Sequence, residues 1–143
     1  MTVAERQARL VEALGAIPDV HERLSALVAH GQRLDAVPEV EKTPDRLVPG
    51  CVSKVWLLAS RDGNGQWHFR RSAGSPLVHG LVGALVGLYE GATSDDILAT
   101  EPTLLASLRL DAHITPTRLR GLAAVRDTIR SLVGGALPHV STD

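Results

Sequence analysis

Asp62-Gly63-Asn64-Gly65 separates two short segments rich in β-branched and aromatic residues, and it constrains the fold more than any other stretch. Four turn-formers between two such segments signal a chain reversal. Before them, residues 52–59 read as a strand. After them, residues 66–71 alternate Trp67 and Phe69 against His68 and Arg70, which predicts a second strand with one wet face. A two-stranded hairpin is marginal alone. A third strand is expected from residues 46–48.

Helical signals flank this hairpin on both sides. Thr2 and Glu5 have capping-box spacing, and Gly15 is the expected stop. Asp19 and Glu22 repeat the box. Val20, Leu24, Leu27 and Val28 then fall on one helical face that Gly31 ends. Residues 35–50 hold four acids and three prolines with no period, a long loop of the kind that is often functional. Beyond the hairpin, Ser75-Pro76 predicts a helix start. Residues 77–89 are apolar nearly all round, so that helix is expected at the centre. Gly80, Gly83 and Gly87 would let another backbone come close to it. Thr93 with Asp96, Pro102, and Thr115-Pro116 open three more helices. The last carries Leu119, Leu122, Val125, Ile129 and Leu132 on one face and closes at Gly134-Gly135. Arg120, Arg126 and Arg130 are expected on its solvated side.

Strands grouped together and helices set apart from them predict an α+β fold, with a small antiparallel sheet of about three strands and helices packed on one face. Residues 1–143 are expected to form a single domain with a frayed tail at 136–143. Hydrophobic residues make up 44% of the 143, enough for a core without metal or disulfide. The 15 basic and 16 acidic side chains nearly balance, which gives no reason to expect nucleic acid or an anionic membrane as partner. Residues 1–12 lack the apolar stretch of a secretory signal, and 77–89 is too short to span a bilayer. A cytoplasmic protein is expected.

Cys51 is the only cysteine, which fits a reducing compartment and rules out an internal disulfide. One thiol cannot build a four-ligand metal site. It can act as a nucleophile or carry a group. Val48-Pro49-Gly50 places it at a loop tip leading into the first strand, and Gly50 keeps bulk away from the sulfur. Strand alternation would turn Lys54 to the opposite face. Of the six histidines, none has a catalytic signature or metal-ligand spacing, and no metal is expected. Arg118 sits in the first turn of the last helix, where the dipole does not favour a cation, so a partner outside that helix is expected for it. These residues alone leave three readings open: a group carrier, a stand-alone cysteine-dependent hydrolase, and a binding module with an inert buried cysteine.

The segment Val48-Pro49-Gly50-Cys51-Val52-Ser53-Lys54-Val55-Trp56 resembles the G-C-x-S-x-V-W segment of the SufE family, the sulfur acceptors of iron–sulfur cluster assembly. Residues 27–34, 78–89 and 95–97 are similar to other family elements. His113, Thr115-Pro116, Arg118 and Gly121-Leu122 resemble its L-T-P-x-R-x-x-G-L element. The matches occur in family order across residues 15–133. The resemblance implies a SufE-like sandwich and a role for Cys51 as persulfide carrier. That carrier would take sulfur from a SufS/CsdA-like cysteine desulfurase, stimulate it, and pass the sulfur to a downstream acceptor or scaffold. It implies that pyridoxal phosphate belongs to the desulfurase and that this chain needs no cofactor. Gly50, Ser53, Lys54 and Arg118 become supporting or partner-contact candidates. Two positions depart from the family pattern. Ala73-Gly74-Ser75-Pro76 lacks the aspartate often found near Gly74, and Val52 replaces a frequent glutamine.

Overall fold

The structure, a computed structural model, describes residues 1–51, 53–135 and, by backbone alone, 140–142. The chain opens with helices α1 (Val3–Gly15) and α2 (Val20–Gly31). Both starts follow the cap logic. Thr2 and Glu5 close a reciprocal box, and the Asp19 carboxylate accepts from the N–H groups of His21 and Glu22. Two single 3-10 turns, Glu39–Glu41 and Pro44–Arg46, interrupt the long loop.

The hairpin comprises β1 (Val55–Arg61) and β2 (Trp67–Ala73), antiparallel with Val55 opposite Ala73 and Arg61 opposite Trp67. In the turn, one Asp62 carboxylate oxygen accepts from the N–H groups of Asn64 and Gln66, at 2.9 and 3.0 Å. Strand β1 starts at Val55, later than the sequence suggests. The third strand, β3 (Val140–Thr142), lies parallel to β1 on its other side. The expected strand at 46–48 is reduced to one bridge, Leu47 to Trp56, because Pro44 and Pro49 flank a piece too short to extend it. Of the tail expected to fray, 140–142 therefore lie in the sheet, while 136–139 and 143 fall outside the described residues.

Helices α3 (Pro76–Gly87), α4 (Ser94–Ala99), α5 (Leu104–Ser107) and α6 (Pro116–Val133) complete the fold. A further 3-10 turn, Asp111–His113, leads into α6. Each of α3, α4 and α6 begins on a hydroxyl cap from Ser75, Thr93 or Thr115. Helix α3 is the central element, buried from Gly80 to Val86. Trp67, Phe69 and Arg71 are buried on one face of β2. The opposite face meets the 35–46 loop: Ser72 exchanges hydrogen bonds with the Val37 backbone, and the Lys42 ammonium lies 5.0 Å from the Trp56 ring. Among the described residues no helix is long and apolar enough to cross a membrane.

Two buried arginines bind the layers. Arg71, fully buried, has no carboxylate partner among the described residues. It donates instead to the backbone carbonyls of Gly31, Leu34, Asp35 and His79. It thus ties the end of α2 and the next loop to the first turn of α3. Arg126, expected in solvent, is 4% exposed. It donates to the Ile97 and Thr100 carbonyls and to the Glu101 carboxylate, and its guanidinium carbon lies 4.9 Å from the Tyr89 ring centre. The reason is packing: α4 ends against α6 and presents carbonyls that need donors. Arg130 shares Glu101 but remains exposed, as does Arg120.

Candidate functional site

The Pro49-Gly50 turn delivers Cys51 onto α6, just ahead of the start of β1. Gly50 has φ of +86°, a conformation that L side chains rarely adopt. Its α-carbon faces Ala124; a Cβ there would come within 3.5 Å of that methyl. One helical turn away is Gly121. A Cβ at Gly121 would lie 3.7 Å from the Cys51 sulfur. The loop thus sits on a shelf of small side chains on α6, and the sulfur rests on the part with none.

Cys51 is half-buried, and its S–H donates to the Gly121 carbonyl at 3.3 Å. The sulfur opens into a cleft of about 290 Å³. Val55 from β1, Val78, Leu81 and Val82 from α3, and Leu122 from α6 form its apolar walls. Ser53, Thr115, Thr117 and Arg118 supply its polar part. Burial pushes the Cys51 thiol above its ordinary value. The resting site therefore holds a neutral thiol.

The cleft gathers some of the expected residues and leaves others out. Ser53 and Arg118 line it, and Gly50 shapes the approach. Arg118 is exposed, its N–H capped by the Thr115 hydroxyl, and among the described residues no acidic side chain lines the cleft. Lys54 is exposed and is not among the lining residues. It precedes β1, so strand alternation does not govern where it points. Val52 lies outside the described residues. No described histidine lines the cleft. His68 is held instead between Asp62 and Glu90, and His79 accepts from the Ala73 N–H. Among the described residues, then, none lining the cleft is the imidazole base that a cysteine hydrolase requires. Among the described residues no three His, Cys, Asp or Glu side chains gather to hold a metal.

Sequence reasoning missed the Gly121 carbonyl and the apolar walls from α3. A signal for the first was present, since a glycine inside a long helix costs about 1 kcal/mol relative to alanine and calls for a reason. The walls come from a helix on the far side of the hairpin in the chain and left no local mark.

A family model described as an Fe–S metabolism associated domain, SufE, matches residues 8–133, which contain every residue of this cleft. The chain belongs to the SufE family. This membership associates it with iron–sulfur metabolism. This SufE chain is also 33% identical over 115 residues to a chloroplastic quinolinate synthase of Oryza sativa subsp. japonica. The match covers 80% of the chain but only 16% of that longer relative. In fold it resembles a hypothetical protein of Thermus thermophilus solved in solution, with a TM-score of 0.72 and 20% identity. That likeness covers 91% of this chain and 94% of the other. The expected α+β fold of this SufE chain is thereby shown.

Proposed function

We propose that this SufE chain acts as one unit to accept sulfur from a cysteine desulfurase on Cys51 and pass it on for iron–sulfur cluster assembly. The observation that carries this reading is a lone thiol, loop-borne and half-buried, in a largely apolar cleft whose only ionisable lining groups among the described residues are Cys51 and Arg118. Sulfur transfer needs one nucleophile and neither metal nor general base of its own. The Cys51 thiolate attacks the outer sulfur of a persulfide on the donor. A new S–S bond forms at Cys51, the donor's S–S bond breaks, and the donor cysteine leaves as a thiolate. Pyridoxal phosphate stays with the desulfurase. The polar residues at the cleft, Ser53 and Arg118, together with exposed Lys54, supply contacts to the docked partner. A second transfer of the same kind hands the sulfur to a scaffold or acceptor.

Incubation with a cysteine desulfurase and L-cysteine tests the proposal. Intact mass should rise by one sulfur atom, located at Cys51, and sulfide release by the desulfurase should increase. The Cys51→Ser variant should gain no mass and give no stimulation. Equal stimulation by that variant removes the carrier role.

A further inference from the structure

The Gly121 carbonyl does more than fill space beneath the sulfur. It is an acceptor, and the group it faces changes character when sulfur is loaded. In the resting protein the S–H donates to it at 3.3 Å. The thiol has no other polar partner among the described residues; the walls from β1, α3 and Leu122 are aliphatic, and the polar lining is confined to Ser53, Thr115, Thr117 and Arg118. This environment suits a neutral donor and disfavours an anion. A carbonyl oxygen presents lone pairs, and apolar walls offer no hydrogen bonds to a charge.

We propose that Gly121 is a positioning residue whose carbonyl seats the neutral Cys51 thiol and dislodges the Cys51 persulfide anion, so that loading itself opens the loop. The inference rests on the carrier reading above. A persulfide is more acidic than its parent thiol. Loaded Cys51 loses its terminal proton to solvent, Cys51–S–S–H becoming Cys51–S–S⁻, and retains no hydrogen to donate. Its negative sulfur then meets the Gly121 oxygen and the side chains of Val78, Leu81 and Val82. Among the described residues Arg118 is the one cation in the lining, and it is exposed. The charged end therefore moves off Gly121 toward Arg118, and the 49–51 turn leaves its shelf. The turn's grip is slight. Gly50 has no side chain to press on Ala124, where even an added Cβ would make only ordinary contact, and a glycine at 121 gives the sulfur no side chain to hold.

The test loads the full chain chemically, so it does not depend on a desulfurase. An aryl disulfide at Cys51 is displaced by hydrosulfide, giving Cys51–S–S–H and the aryl thiolate. A second sample carries Cys51–S–S–CH₃, which has similar bulk but is neutral and has no S–H. Amide hydrogen exchange is followed at neutral pH in the peptide spanning residues 47–56. Loss of one hydrogen bond of ordinary net strength corresponds to roughly fivefold faster exchange. The methyl disulfide should approach that figure, and the persulfide should clearly exceed it. A persulfide that exchanges like the free thiol overturns the proposal. So does a methyl disulfide that exchanges as fast as the persulfide, since bulk or donor loss then explains the opening without charge. Normal chemical opening combined with failure of a desulfurase to load Cys51 would strike the carrier reading and leave the carbonyl's effect standing.

Discussion

Two places in this molecule bring backbones together over glycine, and they do opposite things. Where α2 crosses α3, a Cβ on Gly31 would overlap the Gly80 carbonyl, and one on Gly83 would overlap Gly31 and the Arg71 guanidinium. Nothing there can shift, because the obstacles are main chain and a fully buried side chain that donates to four carbonyls. Where the Cys51 loop meets α6, the matching distances are 3.5 and 3.7 Å, ordinary van der Waals contact. One S–H···O bond is the only polar link the thiol makes among the described residues. The first arrangement is a lock and the second a seat. The lesson is that glycine spacing on a helix does not by itself distinguish permanent contact from removable contact. The nature of the nearest atoms does.

The largest effect should come from the lock. Gly83→Ala drives a methyl into backbone, and overpacking of this kind should cost roughly 3 kcal/mol, read as a lower urea midpoint at unchanged slope. A wild-type midpoint would remove the distinction between the two sites. Arg71→Met should cost about 2–3 kcal/mol, because carbonyls it serves lose their donor inside the protein. A neutral result would mean that water replaces the guanidinium. At the seat, the reactivity of the thiol is the sharper probe. Burial disfavours its ionisation and raises its pKa, so the pH at which alkylation reaches half its maximum rate should lie above that of the urea-unfolded chain. Coincident midpoints would show that the sulfur already stands in solvent.

Gly121→Ala carries the comparison to its small end. The added methyl meets only ordinary contact, and alanine is the better helix former, so stability should rise by up to about 1 kcal/mol. A loss as large as that of Gly83→Ala would make the seat a second lock. Smallest is the clasp on β2, where both ring nitrogens of His68 contact carboxylates, 2.8 Å to Asp62 and 2.5 Å to Glu90. Hydrogen bonds donated to the Asp62 and then the Glu90 carboxylate raise its pKa above the usual histidine value. The folded state therefore holds the proton more tightly. Its contribution is complete below the unfolded histidine's pKa and fades as pH climbs through the higher folded value. Half-exposed as it is, His68→Gln should cost under ~1 kcal/mol in acid and nothing at alkaline pH. Equal costs at both ends would assign the effect to packing.

How much of this could be read from the residues follows the range of the signals. Caps at Thr2, Asp19, Ser75, Thr93 and Thr115 are local, and each starts a helix where expected. The 62–65 turn is equally local, and so is the crowding expected of Gly80 and Gly83. Gly87, grouped with them, has nothing within 4 Å of the point where a Cβ would stand, and it plays no such part. What escaped were long-range matches of donor to carbonyl. Arg126 looks like a surface residue until α4 brings carbonyls to it, and nothing near Arg71 in the chain announces the α2 and α3 carbonyls that it serves. The site was legible as Cys51 and Arg118. The Gly121 oxygen was not, since a backbone carbonyl has no letter of its own.

The half-covered, protonated sulfur has one more consequence. Peroxide attacks thiolates far faster than thiols, and a sulfenic acid is rescued most readily by a nearby second cysteine. This chain has none. Oxidative damage at Cys51 would have no internal repair, so a resting state that withholds the anion also protects the chain's one thiol.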